Sequence, residues 1–118
     1  IAMETKIEVF WRDEHVSDMY VDYTKQTVHV ENYTEEDYKL PFLVGTLTPS
    51  WEEYQLLIDS RVFPRERQNC KEILSCYGLD EYDQEAICRK SHAVMYSDYM
   101  WFRYPGERVT FDDVKVRD

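Results

Sequence analysis

Three stretches near the amino terminus decide the fold: Lys6-Ile7-Glu8-Val9-Phe10-Trp11, then Met19-Tyr20-Val21-Asp22-Tyr23, then Val28-His29-Val30-Glu31. In each, apolar and polar side chains alternate with a period of two. Ile7, Val9 and Trp11 fall on one side, with Lys6, Glu8 and Phe10 on the other. β-Branched and aromatic residues in this alternation mark half-buried strands. Asp13-Glu14-His15 and residues 22–26 are polar connectors of hairpin length. Residues 5–32 therefore predict a three-stranded antiparallel meander. Three strands have little stability alone, so their apolar face requires a helical cover.

The rest of the chain supplies that cover. Residues 33–39 are acidic and irregular. Leu40 to Gly45 is an apolar stretch broken by Pro41 and Gly45, a short strand or a loop tucked under the core. A helix begins near Thr48-Pro49-Ser50, where Pro suits the first helical position and Ser50 with Glu53 offers a capping box. Trp51, Tyr54, Leu57 and Ile58 form its apolar stripe, and it ends near Ser60. A second helix is predicted from about Pro64 to Tyr77, burying Cys70, Ile73, Leu74 and Tyr77. Gly78 ends it in the left-handed conformation. A third covers about Asp83 to Ser91, with Asp83 as N-cap. Tyr99 to Tyr104 reads as an extended strand and Thr110 to Val114 as a one-turn segment. The expected architecture is a single α+β domain over residues 1–118: the meander packed against two or three helices, with a C-terminal extended strand. Ile1 and Ala2, before Met3, read as a tag remnant.

Composition narrows the classes. The chain has 118 residues, 43% of them hydrophobic, with 10 Tyr. That suits one domain with a real core. No apolar run approaches the roughly 20 residues of a membrane span. Cys70, Cys76 and Cys88 are odd in number and include no CxxC, so they are read as buried free thiols, which fits a bacterial cytoplasm. A metal site on Cys88 and His92, one helical turn apart, lacks further partners.

Acids outnumber bases by 24 to 14, for a formal charge of −10, which excludes a generally basic nucleic-acid binder. Residues 1–60 carry 13 acids and 4 bases; residues 61–118 carry 11 and 10. The negative field belongs to the strands and the loop after them. Asp13, Glu14 and Asp18 form one cluster, and Glu31, Glu35, Glu36 and Asp37 another. Such a field either solvates loops or meets a partner with a basic surface, because complementary potential speeds encounter. Arg61, Arg65, Arg67 and Lys71 sit at helical spacing and predict two basic rows on the second helix, most readily paired with the chain's own acids. Arg61, Arg65 and Arg67, with Tyr99 and Trp101, make a second candidate surface. The aromatic run Tyr96 to Tyr104 is read as core on one face.

No catalytic set is legible. Ser91 and His92 diverge on a helix, and no glycine elbow surrounds Ser91 or Cys88. Three glycines cannot build a phosphate or dinucleotide loop, so no cofactor is expected. Asp98, Asp112 and Asp113 are read as surface acids at turns rather than as a cation site.

One resemblance is carried by the string from Ser60 to Asn69, which holds Arg61, Pro64 and Arg67. It continues through Leu79-Asp80, Lys90 to Met95, the Asp98-Tyr99-Met100-Trp101 box and Val109 to Val114. In this order they resemble the N-terminal region of HipA-type kinases of Firmicutes and small stand-alone proteins on mobile elements of gut Clostridia. The match covers about residues 40–114. The kinase domain of that family has no counterpart in these 118 residues, so the resemblance implies a recognition or regulatory module and no kinase activity. The expectation is a non-enzymatic acidic interaction module, encoded by a phage or mobile element. Its partner would be a basic nucleic-acid-binding host protein, as anti-CRISPR inhibitors bind guided nucleases. A regulatory module partnering a separately encoded HipA-like kinase is the alternative. Neither membrane contact nor direct nucleic-acid binding is expected.

Overall fold

The computed structural model describes residues 4–116, so the tag-remnant reading lies outside the described residues. The meander forms as predicted: β1 (Glu4–Trp11), β2 (Glu14–Asp22) and β3 (Thr27–Asn32). A fourth strand, β4 (Met100–Arg103), pairs antiparallel with β1, so the sheet order is β3-β2-β1-β4. The register Ile7↔Met19, Met19↔Val30 and Val9↔Phe102 puts these side chains on one face. A bulge between Val9 and Phe10 shifts the β1–β2 register and gives β2 one extra residue, Val16, which is fully buried.

Helices α1 (Trp51–Ser60), α2 (Cys70–Cys76) and α3 (Gln84–Ser91) contribute to that core. Tyr54 and Ile58 of α1, Leu74 of α2, and Ile87 and Cys88 of α3 pack with Ile7, Val9, Met19, Val21 and Phe102. Local chemistry sets the helix ends. Ser50 and Glu53 make the reciprocal capping box of α1, each side chain meeting the other's backbone N–H at 3.1 Å. Asp83 caps α3 by accepting from the Ala86 N–H. Gly78 takes the left-handed conformation after α2, φ 74°, and the Leu79 N–H reaches back to the Leu74 carbonyl. A one-turn helix, α4 (Phe111–Val114), closes the described chain.

Two expectations fail here. The second helix spans only Cys70–Cys76, not Pro64 to Tyr77. Residues 64–69 make successive turns, Arg67 N–H to Pro64 O and Cys70 N–H to Arg67 O, and Asn69 sits at φ 69°. Arg65 to Asn69 are polar and exposed, so nothing apolar is available to hold that segment as a helix against the core. The two basic rows therefore do not form. The cysteines also differ from one another: Cys88 is buried, Cys70 half-buried, and Cys76 exposed, on the side of α2 away from Leu74.

Residues 40–50 run as a loop along the outer side of β3, with Leu40 buried in the core. The Val30 N–H, on the free side of that edge strand, donates to the Leu47 carbonyl at 2.8 Å. At the opposite edge, the Phe102 N–H donates to the His92 carbonyl at 2.8 Å. No helix among the described residues is long and apolar enough to cross a membrane.

Candidate interaction surface

The seven acids singled out by sequence do not behave alike. Asp13 lies in the β1–β2 turn and Glu35 in the loop after β3; both are exposed and ion-paired with none of the described residues. Glu14 and Glu36 share Lys39, at 2.8 and 3.2 Å, and Tyr38 donates to Glu36. These bonds hold Glu36 below its ordinary range and Lys39 above its own. Asp37 accepts the Val44 N–H at 2.8 Å and pins the loop. Glu31 accepts from the Tyr33 hydroxyl at 3.2 Å.

Asp18 corrects the expectation of a solvent-facing carboxylate: it is 1% exposed. It sits on the sheet face opposite the main core, accepting from Tyr33 at 2.7 Å and meeting His15 Nε2 at 2.7 Å and Lys6 Nζ at 3.6 Å. Beside it Arg103 forks onto Glu8, at 3.0 and 3.2 Å, and covers the Phe10 ring. Phe10 stacks with Trp101 and His15. Buried charge needs such company, because an unpaired carboxylate here would lose its hydration without return. Glu8, His15 and Asp18 bring ligand atoms within 4.8 Å of one another, the one such group among the described residues. Both carboxylates already accept from Arg103, Tyr33 or His15, so a cation would have to displace those donors.

The second candidate surface does not assemble. Arg61, at the end of α1, is buried, donating to Asp98 at 2.7 and 3.0 Å and to the carbonyls of Ala93 and Met100. Trp101 is 1% exposed, and its indole N–H donates to the Arg12 carbonyl. Both are structural, which overturns their assignment to a binding face. Arg65 and Arg67 remain exposed, Arg65 over the Tyr82 ring, and Tyr99 packs beneath Arg12. The expectation that this arginine stretch pairs with the chain's own acids holds at Arg61. Cys88 and His92 also part company: the thiol faces the Ile58 carbonyl, and His92 pairs with Glu107 at 2.9 Å. Asp98 serves Arg61, and Asp113 caps Thr110.

Two features escaped the sequence reading. First, Tyr33, Tyr38, Leu43 and Leu47 are half to two-thirds exposed; the tyrosines alternate along the chain with Glu31, Glu35, Glu36 and Asp37, and Leu47 lines a hollow with Glu31, Tyr33 and Glu35. The negative field thus carries an apolar contact area inside it. The run from Tyr33 to Leu47 held these residues in plain view, but exposure cannot be read from a loop's composition. Second, a cleft joins α1 to α3. In it Glu85 accepts from Tyr54 and, at 3.3 Å, from Tyr23. Burial pushes the Glu85 carboxyl above its ordinary range, against the pull of these hydroxyls.

Comparison with known protein families, curated proteins and solved structures finds no match for this chain.

Proposed function

We propose that the chain is a non-enzymatic protein-interaction module that docks on a basic partner through residues 31–47 and the Asp13 turn. The single observation behind this reading is the exposure of Tyr33, Tyr38, Leu43 and Leu47 on the same segment that carries Glu31, Glu35, Glu36 and Asp37. Apolar side chains supply affinity at the centre of such a contact, and the acids around them steer and select. The formal charge of −10 favours a positively charged target. A nucleic-acid-binding protein presents such a surface, and a guided nuclease is one. Carboxylates seated in its channel would compete with the nucleic acid, which is the mode of an anti-CRISPR-type inhibitor.

The test uses two immobilised baits in parallel, the natural chain and Asp13→Lys/Glu35→Lys/Leu43→Ser/Leu47→Ser. These positions are exposed and avoid Glu36 and Asp37, which hold the loop together. A host partner captured by the natural chain, released by salt and absent from the variant is the expected result. Equal capture by both baits overturns the proposal.

A further inference from the structure

The cleft between α1 and α3 has a volume of about 290 Å³. It shares no residue with the 31–47 surface, and the inference drawn from it stands apart from the proposed function. Two of its walls are aromatic: Tyr23 and Trp51, with ring planes at 89° and centroids 6.0 Å apart. The two rings meet at right angles; Trp51 also stacks on Tyr54 at 5.1 Å and Arg89 stands over Tyr23 at 5.9 Å, so the ring faces left to a ligand are those turned to the cleft, which carry negative quadrupole potential. The remaining ionisable lining is Asp59, Asp83 and Glu85; no lysine or arginine lines the cleft. Asp83 spends one oxygen on the α3 cap, and Glu85 accepts from two tyrosines. Asp59 is exposed and forms no ion pair among the described residues.

A second feature lies near the cleft without lining it. Tyr104 has the one buried side-chain polar atom without a hydrogen-bond partner among the described residues, its hydroxyl. It lies within electrostatic reach of Glu85, Tyr23 and Cys88, and Arg89 covers its ring at 4.8 Å. Tyr104 does not line the cleft, so its hydroxyl marks no ligand position there. Arg89 bonds the Tyr23 hydroxyl at 3.3 Å, stands over its ring at 5.9 Å and partly offsets Glu85, but it does not line the cleft, and Asp59 and Asp83 have no ion pair among the described residues.

We infer that this cleft binds an organic ammonium group, held in the Tyr23–Trp51 corner and neutralised by Asp59 and Glu85. Aromatic faces with carboxylates behind them suit a weakly hydrated alkylammonium better than a small metal ion, which demands closely spaced oxygens in its own geometry. The group can belong to a free small amine or to a lysine side chain, and the probes separate these sources.

The experiment follows the indole N–H signal of Trp51 by NMR while the full chain is titrated with choline, N-acetyl-lysine amide, or the neutral isostere of choline in which carbon replaces nitrogen. Saturable shifts with at least one ammonium probe are expected, and the isostere should bind roughly tenfold more weakly. The tighter of the two ammonium probes identifies the source. Asp59→Asn, on the helix surface and outside the core, should weaken binding several-fold. Trp51→Phe serves to assign the reporter signal. Equal binding of the neutral isostere, unchanged affinity in Asp59→Asn, or no shift with either ammonium probe overturns the inference.

Discussion

Arg61 shows how much one buried side chain can organise. Its guanidinium ties the end of α1 to Asp98 and to the carbonyls of Ala93 and Met100, so it fixes β4 against the helices. Only a planar fork reaches all these acceptors at once. Arg61→Met removes the ion pair of Asp98 and the guanidinium bonds to two carbonyls, and we expect a loss of about 3 kcal/mol by urea denaturation. Arg61→Lys should recover part of it. The cysteines give a second residue-scale prediction. Burial pushes the Cys88 thiol up to about 12, whereas Cys76 is exposed. Iodoacetamide at neutral pH should therefore label Cys76 in the native chain and reach Cys88 only after unfolding, as read by peptide mass spectrometry. Sequence gave fair notice of Arg61 pairing with an internal acid. It gave none of Asp18, which stands among acids along the chain. The Lys6 and Tyr33 that surround it come from β1 and from beyond β3.

At the scale of elements, the helix ends were legible because capping is local. Ser50, Glu53, Gly78 and Asp83 all act within four residues of their own positions. Ser50→Ala should cost about 1 kcal/mol in thermal or urea unfolding, since it removes one half of the box and frees the other. The failure at residues 64–69 is equally instructive. Arginine, glutamate and glutamine favour helix, but a helix lasts only where a stripe of it is buried. The α1–α3 cleft was illegible for a different reason, because Tyr23 and Glu85 are 62 residues apart. Burial there raises the Glu85 carboxyl. Tyr54 and Tyr23 donate to it, Arg89 stands one turn away and Asp83 adds like charge. A raised folded-state value means the folded chain holds this proton more tightly than the unfolded chain. Stability from this group is thus intact below the ordinary carboxylate range and falls as pH climbs through the raised value. Glu85→Gln should be more stable than the natural chain at neutral pH, and the gap should close on acidification, checked by urea midpoints across pH.

The whole molecule depends on a late strand returning to the first one. β4 supplies Met100 and Phe102 to the core, with Tyr104 just beyond it, and pairs with β1 across some 90 residues of chain. The meander was readable from alternation alone, and so was an extended segment near its end. That this segment completes the same sheet beside β1 was not, because pairing partners leave no mark in either strand by itself. A chain ending before Met100 should show a collapsed proton NMR spectrum without cooperative melting, since β1 and the core both lose a neighbour.

Each margin of the sheet is engaged by the molecule's own backbone, Val30 by Leu47 and Phe102 by His92. A margin so occupied offers a poor template for copying. Seeding of fibrils would first require those loops to peel away. Concentrated solutions of the folded protein should therefore stay free of thioflavin-positive growth until conditions detach the 40–50 segment.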